Sequence, residues 1–208
     1  MTQGNNIRFV ALGDSYTICE GAQIEESWPY LLTQHLKEWG VDIELVANPS
    51  VTGWTTQQLI DNELPIFDAA YANFVTLLIG VNDWVQEVSI ADFEARFLHI
   101  VNYVLDKLEN KRNLVLITIP DFGVTTNGAN YGKGRVIADG IASFNAIIAH
   151  HAERLNLPLV DIFPTTQQML GQPDLVSLDG LHPSAKEYAL WEKLIFEVVK
   201  GHLNLQAT

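Results

Sequence analysis

The sequence has only one cysteine, little positive charge and no long hydrophobic run. Cys19 is the single cysteine among 208 residues. This excludes an intrachain disulfide and a cysteine-cluster metal site, and it fits a reducing compartment. No apolar run approaches the roughly 18 residues that a membrane-spanning helix needs. We therefore expect a soluble protein without a membrane span.

Positive charge is scarce throughout the chain. Lys and Arg number 12 against 25 Asp and Glu, which gives a formal net charge of −13. Neutralising the phosphates of a nucleic acid needs clustered Lys and Arg, whereas these 12 are scattered. The composition therefore argues against nucleic-acid partners and anionic membrane surfaces, and it indicates an acidic surface that favours solubility.

The length and the first residues allow two further expectations. At 208 residues, with 48% apolar and 18% charged residues, the chain is predicted to form a single domain spanning residues 1–208. The start has no basic segment, and the apolar stretch 7–12 is too short for the core of a signal peptide. A cytoplasmic location is therefore the default expectation. The sequence does not indicate an oligomeric state.

Short apolar runs alternate with segments of helical periodicity. Runs of this length, rich in β-branched residues, are typical of strands buried on both faces. Apolar residues spaced at i, i+3, i+4 and i+7 predict the intervening helices. This alternation predicts a three-layer α/β/α sandwich around a five-stranded parallel sheet with right-handed crossovers. The predicted strands are residues 7–12, 43–47, 74–79, 114–119 and 159–162.

Capping signals and one long irregular segment complete the predicted layout. Three pairs have the spacing of a capping box or its acidic variant, and each predicts a helix start: Thr55 with Gln58, Ser89 with Asp92, and Ser184 with Glu187. Residues 120–134 are rich in Gly, Asn and Thr, and they follow the fourth strand. Such a segment is either a lid over a site or a mobile loop.

Polar motifs follow the predicted strands. In open parallel sheets the ligand crevice lies outside the carboxyl ends of the strands, so residues there are placed to do chemistry. We expect the following motifs to meet at that edge: Gly13-Asp14-Ser15-Tyr16-Thr17, the stretch 48–53 ending at Gly53, Gly80-Val81-Asn82-Asp83, and Asp179-Gly180-Leu181-His182-Pro183.

Two of these motifs contain the residue types of a serine hydrolase. A serine hydroxyl is a poor nucleophile at neutral pH, so it needs an imidazole to take its proton and a carboxylate to orient that imidazole. Ser15, His182 and Asp179 are the candidate catalytic residues. Two residues separate Asp179 from His182, and a tight loop can bring the carboxylate to one ring nitrogen while the other nitrogen faces Ser15.

The four motifs together resemble the sequence blocks of the SGNH, or GDSL-like, hydrolases, over residues 13 to 183. The resemblance implies the SGNH hydrolase fold, which is flavodoxin-like. It also implies Ser15 as the nucleophile, Asp179 and His182 as the rest of the triad, and Gly53 and Asn82 as oxyanion donors. No cofactor and no metal are expected. The implied substrate is a small soluble ester, an acetylated sugar, a thioester or a lysolipid, hydrolysed through an acyl-enzyme.

Elementary chemistry supports the same oxyanion donors. Attack on an ester carbonyl develops negative charge on its oxygen, and each donor aimed at that charge contributes roughly 2.7–4 kcal/mol in other enzymes. Three donors are predicted, namely the backbone N–H groups of Ser15 and Gly53 and the side-chain amide of Asn82. The neighbouring aromatic residues Tyr16, Trp54 and Trp84 either line a substrate pocket or pack the loops against the sheet.

Other classes of function stay open at this point. Asp-x-x-His occurs in metal sites, although no second His or carboxylate cluster accompanies it here. A flavodoxin-like ligand-binding module would use the loop after the first strand, but it leaves Gly53, Asn82 and His182 without a role. An inactive relative that binds acyl or glycan ligands would not need the complete triad.

Overall fold

The central sheet has five parallel strands. In the computed structural model, which describes residues 6–205, the strand order is β2-β1-β3-β4-β5. The order reverses direction at β1, where the chain first moves to one side for β2 and then to the other for β3. This is the doubly wound arrangement of a flavodoxin-like fold, and it confirms the predicted architecture. The strands are β1 (Ile7–Gly13), β2 (Ile43–Ala47), β3 (Phe74–Leu78), β4 (Leu114–Ile117) and β5 (Leu159–Val160).

The strands begin where the sequence predicts them, but four end differently, and β3 stops one residue early at Leu78. β1 extends one residue further than predicted, to Gly13, where it still pairs with Leu78 of β3. β4 and β5 stop two residues early, and their ladder pairs only Leu116 with Leu159 and Ile117 with Val160. Beyond this point side chains take part in the hydrogen bonding, because the Thr118 hydroxyl accepts the Ile162 N–H. In both strands, the run of apolar residues therefore continues beyond the last backbone pair of the β4–β5 ladder.

Helices cover both faces of the sheet. On one face α2 packs against α9, while on the other α6 contacts α7, and α4 lies against β1 and β2. The apolar stripe of α6 is fully buried, as its periodicity predicts. The helices are α1 (Ser15–Ile18), α2 (Trp28–Glu38), α3 (Thr56–Gln58), α4 (Leu64–Ala70), α5 (Val81–Val85), α6 (Ile90–Lys107), α7 (Ile137–Leu155), α8 (Phe163–Thr166) and α9 (Ala185–His202). Within residues 6–205, none of them is long and apolar enough to cross a membrane.

Two of the three predicted helix caps form. The Thr55 N–H donates to the Gln58 side chain at 2.8 Å, and the Ser89 hydroxyl accepts the Asp92 N–H at 3.1 Å. The third prediction was wrong in its bonding, although Ser184 does precede α9. Its hydroxyl donates instead to the Asp174 carbonyl at 2.7 Å, because the preceding loop brings that acceptor close.

The segment 120–134 contains two short turns. They are 3₁₀ turns at Phe122–Val124 and Gly128–Tyr131, so the segment is more regular than its composition suggests. Asp121 starts the first turn by accepting the Gly123 N–H at 3.0 Å. The segment lies beside the loop that contains Asp179 and His182, because Asn127 bonds to that loop.

Candidate active site

Ser15 lies in a sharp turn at the carboxyl end of β1. Asp14 caps this turn by accepting the Tyr16 N–H at 3.0 Å, and Ser15 begins the short helix α1. The turn is held from outside by Trp28 of α2, whose ring N–H donates to the Tyr16 carbonyl at 2.9 Å. Ser15 is 4% exposed. These two hydrogen bonds therefore hold the turn that contains Ser15 at the edge of the sheet.

Two buried carboxyl groups lie under this turn. Burial raises the pKa of Asp14 to about 8, although the Tyr16 N–H lowers it, and nearby Asp83 raises it further. Asp83 accepts both the N–H and the hydroxyl of Thr56, at 2.8 and 2.5 Å. It thereby ties α5 to the start of α3. Both residues therefore bond to backbone N–H groups, at Tyr16 and Thr56.

The loop around Asp179 and His182 is compact and internally bonded. Nδ1 of His182 lies 2.6 Å from Oδ2 of Asp179. The other carboxylate oxygen accepts the Ser177 hydroxyl at 2.6 Å and the Leu181 and His182 N–H groups at 2.8 and 2.9 Å. The loop closes on itself through the Ser177 N–H, which donates to the His182 carbonyl at 2.8 Å.

These hydrogen bonds determine the protonation of the pair. Burial raises the pKa of Asp179, but the bonds from Ser177, His182 and Leu181 outweigh burial and hold that pKa well below its usual range. A carboxylate only accepts hydrogen bonds, so the proton between the two groups is on His182 Nδ1. In the neutral ring Nε2 is then a free acceptor, able to take a proton from a neighbour.

One small cavity brings the two motifs together. Its volume is about 60 Å³, well below the roughly 300–1,000 Å³ of pockets for drug-sized ligands. Polar groups occupy one side and apolar side chains the other. The lining residues are Ser15, Tyr16, Val81, Asn82, Val85, Phe122, Tyr131, Leu181 and His182. Ser15, Asn82 and His182 therefore share one space, although they come from three distant parts of the chain.

Asn82 and Gly53 approach this edge from two other loops. The Asn82 amide donates to the Trp54 carbonyl at 2.9 Å and lies 3.5 Å from Asp14 Oδ2, at the limit of a hydrogen bond. Gly53 has φ +86 and open space where a Cβ would lie. Within residues 6–205, neither the Ser15 nor the Gly53 N–H donates a hydrogen bond. Gly53 itself is not among the lining residues of the cavity.

The three aromatic residues named from the sequence are placed differently from one another. Tyr16 lines the cavity, and its ring centroid is 5.8 Å from that of His182. Trp84 is buried outside the lining, with the Arg135 guanidinium 3.8 Å over its ring and Phe122 at its edge. Trp54 is half-buried and also outside the lining. The contacts of Trp84 are those of a residue that packs a loop.

Three residues in or beside the site are not predicted by the sequence motifs. Phe122 and Tyr131 come from the irregular segment 120–134 and form an apolar wall with ring centroids 6.4 Å apart. Glu63 is buried, and its carboxylate accepts the Gly13 N–H at 3.0 Å. Phe122 is an apolar residue three positions after the fourth strand run, and this is the one cue that could have indicated it. Glu63 is a charged residue in a helical stretch, where exposure is the ordinary expectation.

Comparison with known sequences identifies related proteins. Residues 11–190 match the profile of the GDSL-like Lipase/Acylhydrolase family. The chain is also similar to an arylesterase of Vibrio mimicus, with 24% identity over 196 residues that cover 94% of this chain and 90% of that protein.

Comparison with solved structures finds the same architecture. The psychrotrophic esterase EstA from Pseudoalteromonas sp., solved inhibited by monoethylphosphonate, is 23% identical with a TM-score of 0.69, over 96% of this chain and 100% of that one. Axe2, an acetylxylan esterase from Geobacillus stearothermophilus, is 17% identical with a TM-score of 0.72, over 99% and 98%. At these identities the likeness establishes the fold.

Proposed function

The chain belongs to the GDSL-like lipase/acylhydrolase family and is an ester-hydrolysing enzyme, and from that premise we propose that Ser15 is its nucleophile. Asp179 and His182 serve as the orienting carboxylate and the general base. The observation that carries this proposal is the shared cavity, which Ser15 and His182 both line while His182 Nδ1 bonds to Asp179 at 2.6 Å.

In the proposed reaction, His182 Nε2 takes the proton of the Ser15 hydroxyl as the oxygen attacks the ester carbonyl. The tetrahedral intermediate collapses when the imidazolium returns that proton to the leaving alcohol, which produces the acyl-enzyme. Water then attacks the acyl-enzyme with His182 again as base. The acyl–Oγ bond breaks as the imidazolium gives its proton to Ser15 Oγ, and the carboxylic acid is released. Asp179 stays ionised throughout and stabilises the imidazolium.

Three donors would stabilise the oxyanion, namely the N–H groups of Ser15 and Gly53 and the amide of Asn82. The two backbone groups are supported by their lack of an acceptor within residues 6–205. The second Asn82 amide hydrogen is supported by its weak contact with Asp14 at 3.5 Å. A developing negative charge within 3 Å is a stronger acceptor than that distant carboxyl group.

The cavity also supports a choice among substrates. Because its volume is about 60 Å³, well below that of pockets for drug-sized ligands, we propose esters with short acyl groups, such as acetyl. The apolar wall formed by Phe122 and Tyr131, together with Val85, would contact the acyl methyl group. The long acyl chain of a lysolipid is the substrate that this geometry favours least. The cytoplasm stays the predicted location.

A serine substitution tests the proposed nucleophile. Ser15→Ala should lower kcat for p-nitrophenyl acetate by on the order of 10⁴-fold or more, because no other group supplies the attacking oxygen. It should also abolish covalent labelling by a fluorophosphonate. Circular dichroism should be unchanged, since only one hydroxyl is removed.

Ser143 provides the matched control. It is an exposed serine of α7 whose hydroxyl bonds to its own helix, at the Asp139 carbonyl. Ser143→Ala should therefore retain activity and labelling. Turnover by Ser15→Ala near the wild-type rate would refute the proposed mechanism.

A further inference from the structure

Asn127 makes two hydrogen bonds to the loop that contains the proposed acid–base pair. Its side-chain amide donates to the Asp179 carbonyl at 2.6 Å, and its backbone N–H donates to the Gly180 carbonyl at 2.8 Å. The two residues are far from Asn127 in sequence, with 52 positions separating it from Asp179. Asn127 itself is exposed at the surface, so these contacts are not a by-product of core packing.

The loop makes few other hydrogen bonds to distant segments. Its remaining hydrogen bonds lie within residues 174–184, such as the Gly180 N–H to the Ser177 carbonyl at 3.0 Å and the isolated bridge between Val176 and Pro183. Within residues 6–205, the hydrogen bonds that join Asp179–His182 to segments outside this loop come from Asn127. Packing adds to them, because Tyr16 lies beside His182 and Leu181 packs against the core. Internal bonds fix the shape of the loop, whereas contacts with other segments fix where it lies.

The backbone at Gly180 allows the close approach of Asn127. Gly180 has φ +71, which favours glycine, and a Cβ there would lie 2.7 Å from the Asn127 amide nitrogen. A side chain at position 180 would therefore displace the Asn127 amide from the Asp179 carbonyl.

We propose that Asn127 is a positioning residue, which holds the carbonyls of Asp179 and Gly180 and thereby fixes His182 against the cavity. The residue lies between Phe122 and Tyr131, which form the apolar wall of the same cavity. One short segment therefore sets both the wall that would contact the acyl group and the distance from that wall to the imidazole. This inference rests on the proposed role of His182 as general base.

The test compares two substitutions of Asn127. Asn127→Ala removes the amide, and Asn127→Asp keeps the shape but replaces a donor by an acceptor that faces a carbonyl. With p-nitrophenyl acetate, both should lower kcat by roughly tenfold while KM changes less than about twofold, since a displaced base slows the chemical step more than it weakens binding. Labelling of Ser15 by a fluorophosphonate should slow by a similar factor.

Asn130→Ala is the matched control, because Asn130 is an exposed amide on the same 3₁₀ turn, and it should behave as wild type. A kcat for Asn127→Ala within twofold of wild type would overturn the inference, as would recovery of kcat in Asn127→Asp. If Ser15→Ala is inactive, either of these results contradicts only the role of Asn127 and leaves the proposed function unaffected. An active Ser15→Ala would instead refute the proposed function itself.

Discussion

Asp179 has a charge that does not change over the pH range in which an esterase works. Its carboxylate accepts four hydrogen bonds, three of them on Oδ1, and these bonds keep its pKa well below the usual range despite burial. A group that stays ionised cannot produce a step in a pH–rate profile. On the proposed mechanism, Asp179 therefore orients His182 as an ionised carboxylate across that pH range.

Tyr131 is the residue that we expect to limit the acyl chain. Its side chain closes one side of the cavity, and Tyr131→Ala would remove most of that wall. The ratio of kcat/KM for p-nitrophenyl hexanoate over acetate should rise by about tenfold or more, because each methylene accommodated in an apolar pocket contributes roughly 1–3 kcal/mol. Initial rates across the acyl series measure this ratio.

Tyr71 offers a control for that substitution. It is a tyrosine with 82% of its surface exposed, and it does not line the cavity. Tyr71→Ala should leave the hexanoate-to-acetate ratio unchanged. An unchanged ratio in Tyr131→Ala as well would contradict the assignment of this wall to the acyl group.

The step from β3 to α5 depends on one glycine. Gly80 has φ +125, and a Cβ there would lie 2.6 Å from Phe93 Cε2 and 2.9 Å from Ile119 Cδ1. Gly80→Ala should therefore destabilise the protein by about 2 kcal/mol or more, from backbone strain and overpacking together. Because Asn82 follows two residues later, kcat should also fall. Urea unfolding and p-nitrophenyl acetate turnover measure the two effects.

Gly201 serves as the comparison for Gly80. It lies in the last turn of α9 with open space around a hypothetical Cβ. Gly201→Ala should be neutral or stabilise by up to about 1 kcal/mol, because alanine is the better helix former. Equal stability of the two variants would show that Phe93 and Ile119 shift at little cost to accommodate a Cβ at position 80.

The sequence predicts the elements well because their signals are local. The starts of all five strands and the caps at Thr55 and Ser89 follow from residue types at fixed spacing. Ser184 begins α9 as predicted, but its side chain makes no capping hydrogen bond and its hydroxyl points to the Asp174 carbonyl, ten residues away. The position of that carbonyl is set by loop conformation, which no periodic pattern encodes.

Across the whole molecule, two buried acids link folding to pH. Burial raises the pKa of Asp14 to about 8 and that of Glu63 to about 9, whereas unfolded carboxyl groups titrate near about 4. Folding therefore takes up protons. The stability that these groups contribute is complete below about pH 4, and it is lost as pH rises through their folded pKa values.

Replacing one of these acids should flatten that dependence. Glu63→Gln removes a carboxyl group that takes up a proton on folding. Between pH 5 and 8, the unfolding free energy of this variant should therefore fall less steeply with pH than that of the wild type, by up to about 1.4 kcal/mol per pH unit. Urea unfolding at several pH values measures the slope. Glu25→Gln, at an exposed glutamate, should keep the wild-type slope. A wild-type slope in Glu63→Gln would show that Glu63 is already ionised in the folded protein.

The candidate site was only partly predictable from the sequence. Four motifs at strand ends indicate Ser15, Asn82, Asp179 and His182, because the topology brings strand ends to one edge. The apolar wall and Asn127 come from residues 120–134, whose path depends on contacts with the loop at Gly180. Such contacts form only in the folded chain.

The packing of α2 against α9 has a consequence for synthesis of the protein on the ribosome. Ser15 precedes α2, and His182 lies just before α9, so on the proposed mechanism the nucleophile is made early and its base late. Until His182 is made, the growing chain contains Ser15 without its base, and a lone serine hydroxyl is a poor nucleophile. On this mechanism the chain hydrolyses esters only after α9 has emerged and packed against α2, so catalysis waits for that contact to form.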